Sequence, residues 1–375
     1  MTSSAGRPVP FGSDSGEAPT GDAHVIVVGA GVAGLTLTYE LARRGIDVLV
    51  VEKGRVAAQG ASSLPAALLN PHRGRTARAS ATDLAGLEAF WRLADQLEAE
   101  GFAAGARRSG VLRIPTSARQ ARDWQRLPGP TWLEPSDVPS PYHAPHGALL
   151  VPDGGWVEPA ALLSALAASA VRRGARILED TEVVALACDG GPAKVMLVDT
   201  RFERPDDERA ERDEGASPVV RTEHTSVAEH VVLCVGAGAV AGVRLPRFEH
   251  AEGAAVVLEM ATTPPYPLAG SVNAAFTAHR AVVNGGHVPT GTADPERLRA
   301  ALARFVPAAA DARVTTSWTG VRVRRSSGVP VARRLHPRVT LFGAMAGRGF
   351  LSGAWYAERI AARFDEAPML RAGRH

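Results

Sequence analysis

A chain of 375 residues, 45% hydrophobic and 22% charged, is long enough for two cores and has the balance of an ordinary globular protein. A net charge of +3 is weak ground for nucleic-acid binding, and no apolar run reaches the roughly 20 residues that a membrane span needs. The two cysteines, Cys188 and Cys234, lack metal-ligand and CxxC spacing, which speaks against a metal site or a disulfide framework and for a reducing compartment.

The polar residues 1–23 have no apolar core, so they read as a disordered lead-in rather than a secretory signal, and a cytoplasmic setting is expected. Residues 24–29, HVIVVG, form a continuous apolar run and predict a buried parallel strand. Residues 32–44 predict a helix that Gly45 ends, and 46–51 the next strand, giving a βαβ opening. The stretch GASSLPAALLNPHRG follows as a loop, with Ser62 and Ser63 as capping residues. A long helix is expected over much of 80–100.

Strands are expected at 109–115 and 147–152, with a Pro-rich connection between them. Residues 158–174 are Ala-rich and predict a helix with Pro159 in its first turn. Strands follow near 175–188 and 193–199, then a charged stretch over 201–216 that reads as a solvated hairpin loop. HVVLCVGAGA returns to a buried strand ending in glycines. A second set of strands is expected at 253–260, 271–276, 280–284 and 313–323, interrupted by a helix near 294–306. The closing segment, from Val339, reads as strand, Gly-rich turn and helix. Nucleotide-fold pieces thus lie at both ends and in the middle. This order implies two interleaved domains, one from 24–108, 153–246 and 336–375, the other from 109–152 and 247–335.

Gly29-x-Gly31-x-x-Gly34 sits between the first strand and its helix. That is the spacing of a dinucleotide phosphate turn: one glycine for the tight turn, one for close approach of the pyrophosphate, one for helix–strand packing. The helix N-terminus then offers free N–H groups to the phosphates. Glu52 ends the second strand, where a carboxylate can accept both ribose hydroxyls, compatible with NAD or FAD and against NADP. A position at the start of the folded chain and a second glycine turn before the last helix, GAMAGRGFLSG, favour FAD.

Here the chain resembles the FAD-dependent oxidoreductases of the D-amino acid oxidase and glycine oxidase type. The segments that carry the likeness run from VIVVGAGVAGL through PDGGWVEPAALLSAL and TGVRVRRSSGVPV to AGRGFLSGAWYAERIA. GGWVEPAALLSAL, and GVR with Pro330 eight residues after Arg322, are most similar to one branch. That branch is the FAD oxidoreductase half of the bifunctional enzyme that builds methylaminomethyl-thiouridine at the tRNA wobble position. The resemblance implies an α/β fold with a Rossmann-like FAD-binding domain interleaved with a mixed-sheet α+β substrate domain. It implies oxidation of a C–N bond by hydride transfer from a glycine-type amine to the flavin.

In this resemblance Gly29, Gly31, Gly34 and Glu52 match the ADP-binding positions. Ser62 and Ser63 match the loop near pyrophosphate and flavin, Val183 a backbone position at adenine, and Gly236 the glycine after the central strand. Gly349, Phe350 and Leu351 match the closing turn beside the flavin. Arg322 is the candidate for the substrate carboxylate, since a guanidinium fork holds a carboxylate bidentately. Arg348 is a second candidate, beside the clamp or the flavin. In glycine oxidases the closing-loop arginine sits one residue earlier, where this chain has Gly347. His72 and His287 lie near glycines, where they could line the pocket or be ordinary loop histidines; Trp156 reads as a packing residue and Cys234 as structural, and no cysteine lies where a covalent flavin link is expected, so FAD is expected to be non-covalent. The substrate is either a free amino acid or amine, such as glycine, sarcosine or a D-amino acid, or a modified tRNA. A flavin reductase or monooxygenase, or a non-catalytic FAD-binding protein, are the other readings. Oligomeric state is not legible.

Overall fold

The computed structural model describes residues 22–200, 223–285 and 294–365. The lead-in up to residue 21, the 201–216 stretch and His287 lie outside the described residues.

The first strand, Ala23–Val28, lies at the centre of the larger sheet. Val48–Val51 runs parallel on one side of it, and the second half of Glu223–Leu233 runs parallel on the other. Arg176–Leu178 adds a further parallel strand beyond Val48–Val51, and Val339–Gly343 adds one beside Val231–Leu233. Val331–His336 hairpins back onto Val339–Gly343. The first half of Glu223–Leu233 instead pairs antiparallel with Ala193–Asp199, which pairs with Thr181–Ala187.

The near-continuous apolar runs of the central strands follow from burial on both faces. Side chains alternate across a strand, so Val25 and Val27 enter one core and Ile26 and Val28 another. The first core includes the helices Val32–Arg43, Ala81–Ala99, Pro159–Arg172 and Gly349–Asp365; the second includes Val183, Leu186, Val195 and Leu197 from the antiparallel strands. Each such side chain, fully buried, contributes about 1.5–3 kcal/mol relative to exposure.

A second, antiparallel sheet holds Val272–Thr277, Arg280–Gly285, Glu249–Glu259 and Arg313–Arg324, in that order. Leu268 bridges it to Val111–Arg113 and thence to Ala148–Val151 and Thr131–Leu133. The helix Pro295–Ala303 packs on this sheet through Leu298 and Leu302, its N-terminus capped by Asp294. A small third sheet joins Ala67–Leu69, Gly155–Val157 and Ala106–Arg107.

The expected α/β architecture is observed, with local differences. The single strand expected at 175–188 is two, because Asp180 turns left-handed at φ +51° and the chain re-enters the sheet at another place. Gly54 O accepts from the Asp180 amide and Glu179 accepts from the Val56 amide, which fixes that turn. The Pro-rich connection carries a short helix, Ala118–Trp124, and the strand Thr131–Leu133.

Candidate active site and cofactor cradle

One cavity of about 670 Å³ runs from the glycine turn to the second sheet, within the roughly 300–1,000 Å³ usual for small-molecule sites. Its first end is built by close backbone approach. Gly29 adopts φ +101°, and a β-carbon there would lie 2.6 Å from Cys234 O. A β-carbon on Gly34 would lie 1.8 Å from Gly29 O, so the helix can leave the turn at this angle only with glycine at both places. Gly31 lines the cavity, its missing side chain facing Ser62 Oγ. The first amides of a helix have no intrahelical acceptors. Val32 N–H donates to Ser62 Oγ at 3.1 Å, and Val32 and Ala33 line the cavity. These observations fit a pyrophosphate at this helix end.

Glu52 follows the second strand and its carboxylate is pinned on both oxygens. Oε2 accepts from Ala30 N–H at 2.6 Å and Oε1 from Gly54 N–H at 3.1 Å. This keeps the acid at the rim of the cavity with lone pairs to spare for ribose hydroxyls. Thr181, Glu182 and Val183 form the adjoining wall, carried there by the bond from Thr181 N–H to Glu52 O. Gly236, at φ +56° after the central strand, lines the same region.

The other end is cationic. Arg322 lies on the strand Arg313–Arg324 and its guanidinium lies over Gly253 of the neighbouring strand, where a β-carbon would meet Nη2 at 2.8 Å. Burial pulls its pKa down. Arg73 and Arg113 line the cavity with it. Arg113 donates to Gly74 O at 2.7 Å and to His72 O, and stacks on the Trp124 ring at 4.6 Å. Burial pulls Arg73 down to about 10; the charge of Arg348 adds to this, Asp83 opposes it, and Arg322 adds further. Each arginine stays charged near neutrality. Gly349, Phe350 and Leu351 open the last helix at this end, after a turn in which Ala344 and Ala346 take positive φ of +53° and +52°. Alternating signs of φ turn successive amides to one side, an arrangement that receives electron-rich groups.

Ten of the thirteen candidate residues line the cavity: Gly29, Gly31, Glu52, Ser62, Val183, Gly236, Arg322, Gly349, Phe350 and Leu351. Gly34 shapes the turn from behind. Ser63 holds the loop by donating to Gly60 O and accepting from Trp318 Nε1, both at 3.0 Å. Arg348 is placed outside the lining: it donates to Gly328 O at 2.9 Å and lies 3.4 Å from Asp83. His72 lines the cavity, its Nδ1 2.8 Å from Ala77 O, and burial holds its pKa below 6.5, so the ring is neutral at pH 7. Trp156 is buried against Ala66 and Ala275, outside the lining. Cys234 lies at the cavity wall with its carbonyl against Gly29, while its thiol is packed in the core and its pKa pushed up by burial. Arg73, Arg113, Asn273 and Asn284 are lining residues not singled out in the sequence. The one signal for Arg73 is its place in NPHRG, directly after the Ser62 loop.

The family described as DAO, FAD dependent oxidoreductase, matches residues 24–363. The chain belongs to that family. Its members are FAD-dependent oxidoreductases that act on amines, and FAD is the cofactor that the cradle fits. The tRNA 5-methylaminomethyl-2-thiouridine biosynthesis bifunctional protein MnmC of Maricaulis maris is 30% identical over 349 residues, 91% of this chain and 52% of that protein. The chain therefore spans about half the length of this relative. Glycine oxidase of Geobacillus kaustophilus is 26% identical over 352 residues, 85% of this chain and 86% of that enzyme. The crystal structure of glycine oxidase from the same organism superposes with a TM-score of 0.73 over 94% of this chain and 99% of that one, at 21% identity. Among the described residues, no helix is long and apolar enough to cross a membrane.

Proposed function

We propose that this chain oxidises the C–N bond of an N-substituted glycine-type amine, with the carboxymethylaminomethyl group of tRNA wobble uridine as its substrate. The carrying observation is Arg322, a half-buried guanidinium at the end of the cavity remote from the phosphate turn. In this reading the ADP part lies along Gly29, Gly31 and Glu52, and the closing turn with Phe350 and Leu351 receives the flavin ring. When bound, the flavin supplies the two-electron acceptor for the amine. Arg322 holds the substrate carboxylate and so fixes which face of the α-carbon is presented. The apolar walls formed by Leu68, Phe350 and Leu351 keep water from the reacting carbon. No side-chain base is required, because a neutral amine can lose hydride directly. Cys234 is an enclosed thiol, which supports non-covalent FAD. Two unbridged cysteines support a cytoplasmic setting. The division into a cofactor domain (24–108, 153–246, 336–375) and a substrate domain (109–152, 247–335) is part of the same proposal.

The tRNA substrate is favoured over a free amino acid by the exposed arginines next to the cavity wall. Arg75, Arg78, Arg119, Arg122 and Arg126 are exposed, and the Arg75 carbonyl is tied to the helix Ala118–Trp124 by Gln120 and Trp124. Such an apron suits a phosphate backbone. A free glycine or sarcosine oxidase is the second reading, favoured by the cover of glycine oxidase over nearly its full length.

Anaerobic titration of the flavoprotein distinguishes them. Bleaching by tRNA bearing carboxymethylaminomethyl-uridine, and not by glycine, sarcosine or D-alanine, is expected. Bleaching by a free amino acid alone makes it a metabolic amine oxidase. A bound flavin that none of these reduces overturns the amine reading in favour of a reductase, monooxygenase or FAD-binding role.

A further inference from the structure

Gly347 has no side chain, and two guanidinium groups crowd the space its β-carbon would claim. Arg73 Nη2 lies 3.1 Å from that position and Arg322 Nη1 3.8 Å. They arrive from different elements, Arg73 from the loop after Ala67–Leu69 and Arg322 from Arg313–Arg324. Arg73 Nη1 donates to Gly347 O at 2.7 Å, which fixes its fork against the closing turn. Both side chains line the cavity.

Asp83 accepts from Ser80 Oγ at 2.9 Å and lies beside Arg348. Glu52, at the phosphate-turn end, takes the amides of Ala30 and Gly54. Two like charges converge on one point of the cavity wall; burial draws the pKa of each down, and the Arg322 charge adds a little to this at Arg73. An anion between them relieves that repulsion. A carboxylate offers about four lone-pair sites, enough for two guanidinium groups.

We propose that Arg73 is the second arm of a two-guanidinium clamp, which with Arg322 holds the single carboxylate of the substrate amine. The proposal rests on the glycine-type reading above and deepens it: two cations on one carboxylate make that group obligatory, so amines without it are rejected. Convergence on one point favours one shared carboxylate over two separate anions.

The test uses the holoenzyme and acetate as probe, following the perturbation of flavin absorbance, so that binding is read without turnover. Wild type is expected to bind acetate saturably. Arg73→Gln is expected to raise its Kd about 10- to 100-fold, as for loss of a hydrogen bond to a charged group. Arg304→Gln, at an exposed arginine outside the cavity, is expected to stay within about twofold of wild type. Should Arg73→Gln lose its flavin, the titration passes to Arg73→Lys. Its Kd is expected at least about threefold above wild type, since a point charge does not replace the planar fork. An unchanged Kd in the variant titrated, or no acetate response in wild type, overturns the clamp. Acetate binding that depends on Arg73, in a protein whose flavin no amine reduces, keeps the clamp and overturns the amine-oxidase reading instead.

Discussion

Trp318 donates its indole N–H to Ser63 Oγ at 3.0 Å, joining the strand that carries Arg322 to the loop at the cofactor cradle. Gly320 makes room for this ring: a β-carbon there would lie 2.5 Å from its six-membered edge. Ser63 in turn donates to Gly60 O, so the hydroxyl is used as donor and acceptor. The substrate-side sheet and the phosphate loop are therefore coupled by one side-chain bond. Trp318→Phe is expected to cost about 0.5–1.5 kcal/mol and to speed flavin release. Unfolding midpoint and flavin dissociation rate, measured on the same preparation, check this; no change in either would remove the link.

The contact of Gly34 with Gly29 O leaves no space for a methyl group. Gly34→Ala forces the helix away from the strand, at about 1–3 kcal/mol or more in strain. The variant is expected to purify with a lower ratio of flavin to protein and a lower Tm. Full flavin content at wild-type Tm would show that the helix shifts without cost.

Arg348 acts on Asp83, a carboxylate whose side chain is 5% exposed. Ser80 Oγ is its other partner, and the Ser80–Asp83 pair starts the long helix Ala81–Ala99. Arg348→Gln leaves a buried carboxylate short of a cation, and a destabilisation of about 1–3 kcal/mol is expected. Urea unfolding of the two proteins reads it; equal midpoints would argue that the pair is neutral.

His230 makes stability fall on the acid side. Burial first, then the charges of Arg334, His24 and Arg338, lower its pKa from 6.5 to about 4. The ring lies 2.9 Å from Thr340 Oγ1 and edge-on to Phe364. Its folded pKa is depressed, so its contribution is intact above pH 6.5. It is lost as pH falls toward 4, because the unfolded chain takes up the proton first. At about 1.4 kcal/mol per pH unit the loss approaches 3 kcal/mol, an upper bound for a half-buried ring. His230→Gln is expected to flatten the decline of Tm between pH 6.5 and 4. Parallel slopes in the two proteins would assign the acid sensitivity elsewhere.

The cradle was legible because its chemistry is backbone chemistry. Gly29, Gly31 and Gly34 mark places where a β-carbon cannot fit, and Glu52 follows at the distance a strand–helix–strand unit dictates. The apolar runs around them reported burial on both faces, so the large sheet followed. The cationic end was only half legible. Arg322 came with a recognisable spacing to Pro330, whereas Arg73 sits in a loop without periodicity, among many arginines. Only the folded chain brings it to Gly347, 274 positions away. Arg348 drew attention by its place in the closing turn, but a helix start fixes the backbone and not the side chain. The side chain turned to Asp83, which sequence did not connect with it. Likewise the break at Asp180 had no glycine or proline to announce it.

The last helix, Gly349–Asp365, covers both the first helix and the long helix Ala81–Ala99. Val32 Cγ1 would lie 2.9 Å from a β-carbon on Gly349, and Leu351 O 2.7 Å from one on Gly86, so the fit is tight on both sides. At about 5–20 residues per second, the ribosome makes the cover roughly 15–60 s after the first helix. For that interval the glycine turn and its helix exist with an apolar flank bare. The cavity is likewise incomplete during that time, because the wall formed by Gly349, Phe350 and Leu351 is made only with the last helix.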